Sequence, residues 1–203
     1  ELRGARLHII ALTPFPSLAD FESLLASPGP WIAGCDFPFS QPRRFVEAMG
    51  WPTRWSDLVE YLGQRSRAEF KTDIKRYCDA QPPGDKHHSR ATDKSTGAKS
   101  PMMTVRVPVG LMFHEGAPRL ARSSVSIVPC RPTDDSRTVL EVYPGLAARK
   151  LIGRTPYKND SKKPGEEERR AARQDLVMAL SRPSTLRGYG IGVALHDKRR
   201  YAL

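Results

Sequence analysis

Apolar and polar positions change period several times along this chain, and each change marks an element. Arg6 to Leu12 is rich in β-branched and aliphatic side chains, which predicts a strand. Ser17-Leu18-Ala19-Asp20 has the form of a capping box, and Phe21, Leu24 and Leu25 follow at helical spacing until Pro28-Gly29-Pro30 ends the helix. Trp31 to Cys35 runs apolar without alternation, as a strand buried on both faces does. Asp36 closes that run, and Phe37-Pro38-Phe39 breaks the pattern.

Helical spacing then dominates. Ser40 and Pro42 open a short helix through Val46 and Met49, with Gly50 as its stop. Trp55, Leu58, Val59 and Leu62 form one stripe, and Phe70, Ile74 and Tyr77 another, entered through a second capping box at Ser66 and Glu69. From Gln81 to Pro101 periodicity vanishes; a basic loop of that length inside a domain is functional or disordered. Val105 to Leu120 is apolar, but Pro108 and Gly110 predict a broken element. Val125–Val128 and Thr138–Tyr143 read as strands, the segment after Pro144-Gly145 as a helix to Ile152, and Glu166 to Leu180 as a helix with acids in its first turn. Strands alternating with helices give an α/β class, and one domain over 1–203.

Composition narrows this further. At 39% hydrophobic residues the chain is too apolar for disorder, yet no apolar run approaches the roughly 18 residues of a spanning helix, so no membrane partner is expected. Cys35, Cys78 and Cys130 form no metal motif and cannot close a disulfide set, which suits a reducing cytoplasm. The net charge of +11 favours a polyanion such as nucleic acid, although solvated surface lysines and arginines are an equal reading. Between Ala148 and Arg173, nine bases face four acids. That local excess could hold phosphate.

Two carboxylates stand out as candidate chemistry. Asp36 ends a strand, where α/β sheets place ligands, and Glu141 interrupts an apolar strand, where a charge is costly unless paired or bound to metal. Plainer readings stand beside these: Asp36 as the cap of the next turn, Glu141 as a solvent-facing residue at a sheet edge. Gly97-Ala98-Lys99-Ser100 lacks the glycines of a phosphate loop, and His87-His88 has no second ligand pair at zinc spacing and reads as a solvated pair. Cys35, inside its apolar run, reads as core filler rather than nucleophile.

Five stretches in order resemble one family: Gly34-Cys35-Asp36-Phe37-Pro38-Phe39, His88-Ser89-Arg90-Ala91-Thr92-Asp93, the run from Pro108 to Leu120 with Glu115 and Arg119, Leu140-Glu141-Val142-Tyr143-Pro144-Gly145, and Tyr157-Lys158-Asn159-Asp160. Together they resemble the bacterial and archaeal domain of unknown function 429, whose members are predicted to be ribonuclease H-like nucleases. The resemblance implies a mixed sheet flanked by helices, with a helical insertion over 45–80 after the Asp36 strand and a long basic loop over 81–101. It implies that Asp36 and Glu141 are catalytic and hold Mg²⁺ or Mn²⁺, and that Arg90, Asp93, Glu115, Arg119, Tyr157 and Lys158 line the same substrate cleft. The family's usual first strand with Gly-x-Asp and last helix with Gly-Asp-Ala-Leu-Asp-Ala have no counterpart here, so two of the implied carboxylates are expected to be wanting. The leading expectation is a metal-dependent nuclease. A non-catalytic nucleic-acid or nucleotide-binding module, or a small-molecule enzyme with an anionic substrate, stands as the alternative.

Overall fold

The computed structural model describes residues 2–3, 6–158, 164–182 and 192–194. Contacts divide the chain into two compact units, one of Glu1–Pro14 with Pro144–Leu203 and one of Phe15–Tyr143. The architecture is mixed α/β in both.

In the first unit, β1 (Leu2–Arg3) pairs antiparallel with β2 (Arg6–His8), which pairs parallel with a strand at Gly192–Ala194. The helices of this unit cover Pro144–Ile152 and Glu166–Leu180, as the periodicity predicts.

The Phe15–Tyr143 unit begins with α1 (Leu18–Ala26), whose capping box at Ser17 and Asp20 forms as predicted. β3 (Trp31–Cys35) follows, then α2 (Arg43–Ala48), α3 (Trp55–Gly63) and α4 (Arg67–Asp79), with the second capping box also in place at Ser66 and Glu69. A six-residue α5 (Ala91–Thr96) and a fourteen-residue α6 (Val109–Arg122) lead to β4 (Ser126–Val128) and β5 (Arg137–Glu141). The last two helices are numbered α7 (Pro144–Ile152) and α8 (Glu166–Leu180), and the last strand β6 (Gly192–Ala194). The sheet order is β3-β5-β4, with both pairings parallel where a mixed sheet was expected. β5 is therefore central, and Glu141 does not lie on an edge strand.

Further expectations are corrected. β3 is not buried on both faces: Ile32 is 76% exposed, and alternate positions turn outward. The stretch from Gln81 to Pro101 is not structureless, since it carries α5, which Gly97 ends with φ +64°. Nor is His87-His88 a solvated pair. His87 is exposed, but the His88 ring is buried with Nε2 2.7 Å from the Tyr77 hydroxyl, and burial lowers its pKa.

Between Val105 and Leu120 the break falls at Pro108, as expected, but Gly110 does not interrupt the helix that follows. Pro108 sits at the N-cap of α6, where its missing N–H costs no helical bond, and the helix continues through the buried Pro118. Phe113 and Ala117 join the core formed by Phe45, Val59, Leu62 and Phe70, while Leu120 joins the sheet-side core of Leu25, Phe39, Ile127 and Val139. One helix thus closes both cores. Gly110 lets it approach: its N–H donates to the Met103 carbonyl at 2.8 Å, and a Cβ there would lie 2.5 Å from the Pro101 carbonyl oxygen. Backbone cannot swing aside as a side chain does. Gly110→Ala is expected to lower stability by about 1–3 kcal/mol in urea denaturation; an unchanged midpoint would contradict this account of the packing.

Candidate functional site

Parallel pairing puts the carboxyl ends of β3 and β5 side by side. Cys35 is in register with Glu141, and the Val142 N–H donates to the Cys35 carbonyl at 3.0 Å. Asp36 follows Cys35 at a bend; it is exposed and makes no hydrogen bond or ion pair among the described residues. The two carboxylates expected to share a site thus come from neighbouring strand ends of the sheet.

Glu141 is engaged, however. Arg90 reaches it as a fork, with Nη1 2.8 Å from Oε2 and Nη2 2.5 Å from Oε1. The Phe39 backbone N–H donates to Oε2 at 2.8 Å. The same guanidinium turns back on Asp93, donating from Nε at 3.0 Å and from Nη2 at 2.7 Å, while the Arg90 backbone N–H also donates to Asp93 at 2.8 Å. Asp93 is 2% exposed and the Arg90 side chain 13%. Burial opposes the guanidinium's charge, but its hydrogen bonds to Asp93 and Glu141 outweigh burial and raise its pKa above the ordinary arginine value.

The structure therefore brings Arg90 and Asp93 onto Glu141. It gives Glu115 and Arg119 other partners: they pair with each other at 3.0 Å, and Arg119 Nε lies 3.2 Å from Glu22. Tyr157 and Lys158 belong to the first unit, where the Lys158 ammonium lies 5.9 Å from the centre of the Tyr157 ring. Asn159, Asp160, Lys162 and Lys163 lie outside the described residues. Phe39 and Ser40 (whose hydroxyl is 3.4 Å from Arg90 Nη1) complete the cluster, and neither is a site candidate on sequence alone. A backbone donor has no residue-type signal, and a pairing across 51 positions has no local period to reveal it.

Bridged Mg²⁺ or Mn²⁺ ions sit roughly 4 Å apart and draw on several carboxylates at once. Both oxygens of Glu141 and both of Asp93 are turned to Arg90, which leaves Asp36 as the open carboxylate of this edge. Among the described residues no group of three or more His, Cys, Asp or Glu is arranged to hold a metal ion. With Glu141 and Asp93 engaged by Arg90, the described residues by themselves do not assemble a two-ion centre.

Two thiols lie near this edge, and both are disfavoured as thiolates. Burial pushes the Cys35 thiol up to about 11, and burial, then the charge of Glu141, raises Cys130. No family model, no curated protein and no solved structure matches the chain.

Two outcomes follow from this geometry. Arg90→Met strands a buried carboxylate and is expected to cost about 3–5 kcal/mol, read from the urea midpoint. Arg90→Lys recovers only part of it, because an ammonium cannot fork to two carboxylates. Equal midpoints for Arg90→Met and the parent would show that the cluster is not structural. For Cys35, a thiolate forms only as pH approaches 11, so its alkylation rate, followed by peptide mass spectrometry, should still be rising at pH 10. A plateau near pH 8.5 would contradict the buried environment.

Proposed function

We propose that this chain is a nucleic-acid-binding protein of ribonuclease H-like class that holds its ligand by phosphate contacts rather than by a two-metal centre. The class rests on the resemblance to the domain of unknown function 429 family, together with a small parallel sheet flanked by helices. The observation that carries the binding reading is a set of exposed cations in the first unit. Lys150, Arg154, Lys158 and Arg170 are exposed and make no ion pair among the described residues. Arg169 and Arg173 are instead engaged by Glu166, at 3.0 and 2.7 Å. Lys158 beside the Tyr157 ring pairs a phosphate-binding charge with a face on which a base stacks.

A second reading, a metal-dependent phosphodiesterase using Mg²⁺ or Mn²⁺, is favoured by one feature: the open carboxylate of Asp36 at a strand end, adjacent to Glu141. That reading requires Arg90 to release Glu141. Among the described residues no helix is long and apolar enough to cross a membrane. Three unpaired thiols suit a reducing cytoplasm as the place of action.

A salt titration of fluorescent oligonucleotide binding tests both readings. Affinity is expected to fall with a log–log slope of about −0.7 per phosphate contact on single strands, and Lys158→Ala to weaken binding equally on all sequences. Asp36→Asn should leave binding intact or tighter. Mn²⁺-dependent cleavage by the parent that disappears in Asp36→Asn would put the phosphodiesterase first. No binding at low salt would overturn both readings and leave the small-molecule enzyme.

A further inference from the structure

A cavity of about 420 Å³ opens in the Phe15–Tyr143 unit between α1 and the C-terminal half of α6. Leu25 and Ala26 give it an apolar wall, and Arg119, Arg122 and Ser124 give it donors. Its size is that of a small-molecule site. Leu25 and Ser124 are also bonded by the side chain of Arg137, the first residue of β5, whereas Glu141 is the last, so this cavity is separate from the Arg90 cluster.

The polar groups around it are incompletely used. A single oxygen of Glu22, Oε1, lies 3.2 Å from Arg119 Nε and 3.2 Å from Arg122 Nη2. It accepts a hydrogen bond from Arg122, but its angle to Arg119 is wrong, so the buried Arg119 Nε–H has no acceptor. A buried donor left unmade costs about 1–3 kcal/mol, which a better-shaped anion recovers. Ser124 accepts from Arg137 Nη2 at 2.6 Å, which leaves its own hydrogen to donate. Glu22 is 46% exposed and can turn to water at little cost.

We propose that this cavity binds a small organic phosphate monoester, with Arg119, Arg122 and the Ser124 hydroxyl as its donors and Leu25 and Ala26 against its organic part. Two guanidinium groups and a hydroxyl offer more charge-assisted donors than the two oxygens of a carboxylate use, whereas a phosphate monoester brings a dianion with three acceptor oxygens. Glu22 competes for the same donors. The residues of this site belong to the Phe15–Tyr143 unit, whereas Tyr157, Lys158 and the exposed cations of the proposed nucleic-acid surface belong to the other.

The test is a titration of the full chain with phenyl phosphate, followed by NMR at the Arg Nε–H signals and the Ser123 and Ser124 amides. Saturable shifts at Arg119, Arg122 and Ser124 are expected, with benzoate binding more weakly. Arg122→Gln, at an exposed side chain whose loss leaves the fold intact, should weaken phenyl phosphate by about tenfold or more. Glu22→Gln should tighten it by about two- to fivefold, the worth of an exposed ion pair. Lys158→Ala should leave it unchanged while weakening oligonucleotide binding. The proposal is overturned if α6 signals do not move in the parent, if Arg122→Gln titrates like the parent, if Glu22→Gln binds less tightly, or if Lys158→Ala abolishes the shifts.

Discussion

The fork of Arg90 between Asp93 and Glu141 is the contact through which distant parts of the Phe15–Tyr143 unit depend on one another. It fastens α5 to the end of the central strand, and Glu141 in turn takes the Phe39 N–H, which fixes the chain just after β3. The segment leaving α5 is then held by buried bonds. The Gln41 side chain donates to the Pro101 carbonyl at 3.1 Å, and the Ser100 hydroxyl donates to the His88 carbonyl. Pro101 and Met103 are the backbone against which Gly110 lets α6 pack, and α6 closes both hydrophobic cores. An ion pair in water contributes little, but one with an almost wholly buried carboxylate is expensive to break, because the partner left behind keeps its charge without its counter-ion. Energy of this kind fixes a geometry more than it adds stability.

Local signals in the sequence carried the elements whose causes are local. The boxes at Ser17 and Ser66 work through atoms three residues apart, and both helices begin where those residues place them. The strand through Ala33 and Cys35 was legible for the same reason, although its exposure was not: burial of a face depends on which helix lies over it. Pro108 and Gly110 both look like breaks in the sequence, and only Pro108 is one: α6 starts after it and runs on through Gly110. Their actual work is positional, one at a cap and the other at a close approach to backbone from residues 101 and 103, a turn-back of the chain that no hydrophobic period signals. Candidate site residues divide along the same line. Asp36 could be assigned to a strand end by pattern and Glu141 only to the interior of a strand; the strand in fact ends at Glu141, and parallel register sets the two on one edge. That Glu141 is taken by Arg90 is a tertiary fact.

Charge in this unit follows one arrangement with two different consequences. At the strand ends, an arginine of the chain stands among carboxylates in the place where a cation is attracted. At the α1–α6 cavity, a glutamate of the chain stands among guanidinium groups in the place where an anion is attracted. Exposure and bonding decide which internal counter-ion can be exchanged. Arg90 is 13% exposed and forks to two carboxylates, so releasing it leaves the buried charge of Asp93 without its counter-ion. Glu22 is 46% exposed, holds Arg122 by a single bond of 3.2 Å and meets Arg119 at an angle that makes none. Water compensates an exposed carboxylate almost fully and a buried guanidinium hardly at all. The first arrangement is therefore a permanent part of the fold, and the second is the one a ligand can enter.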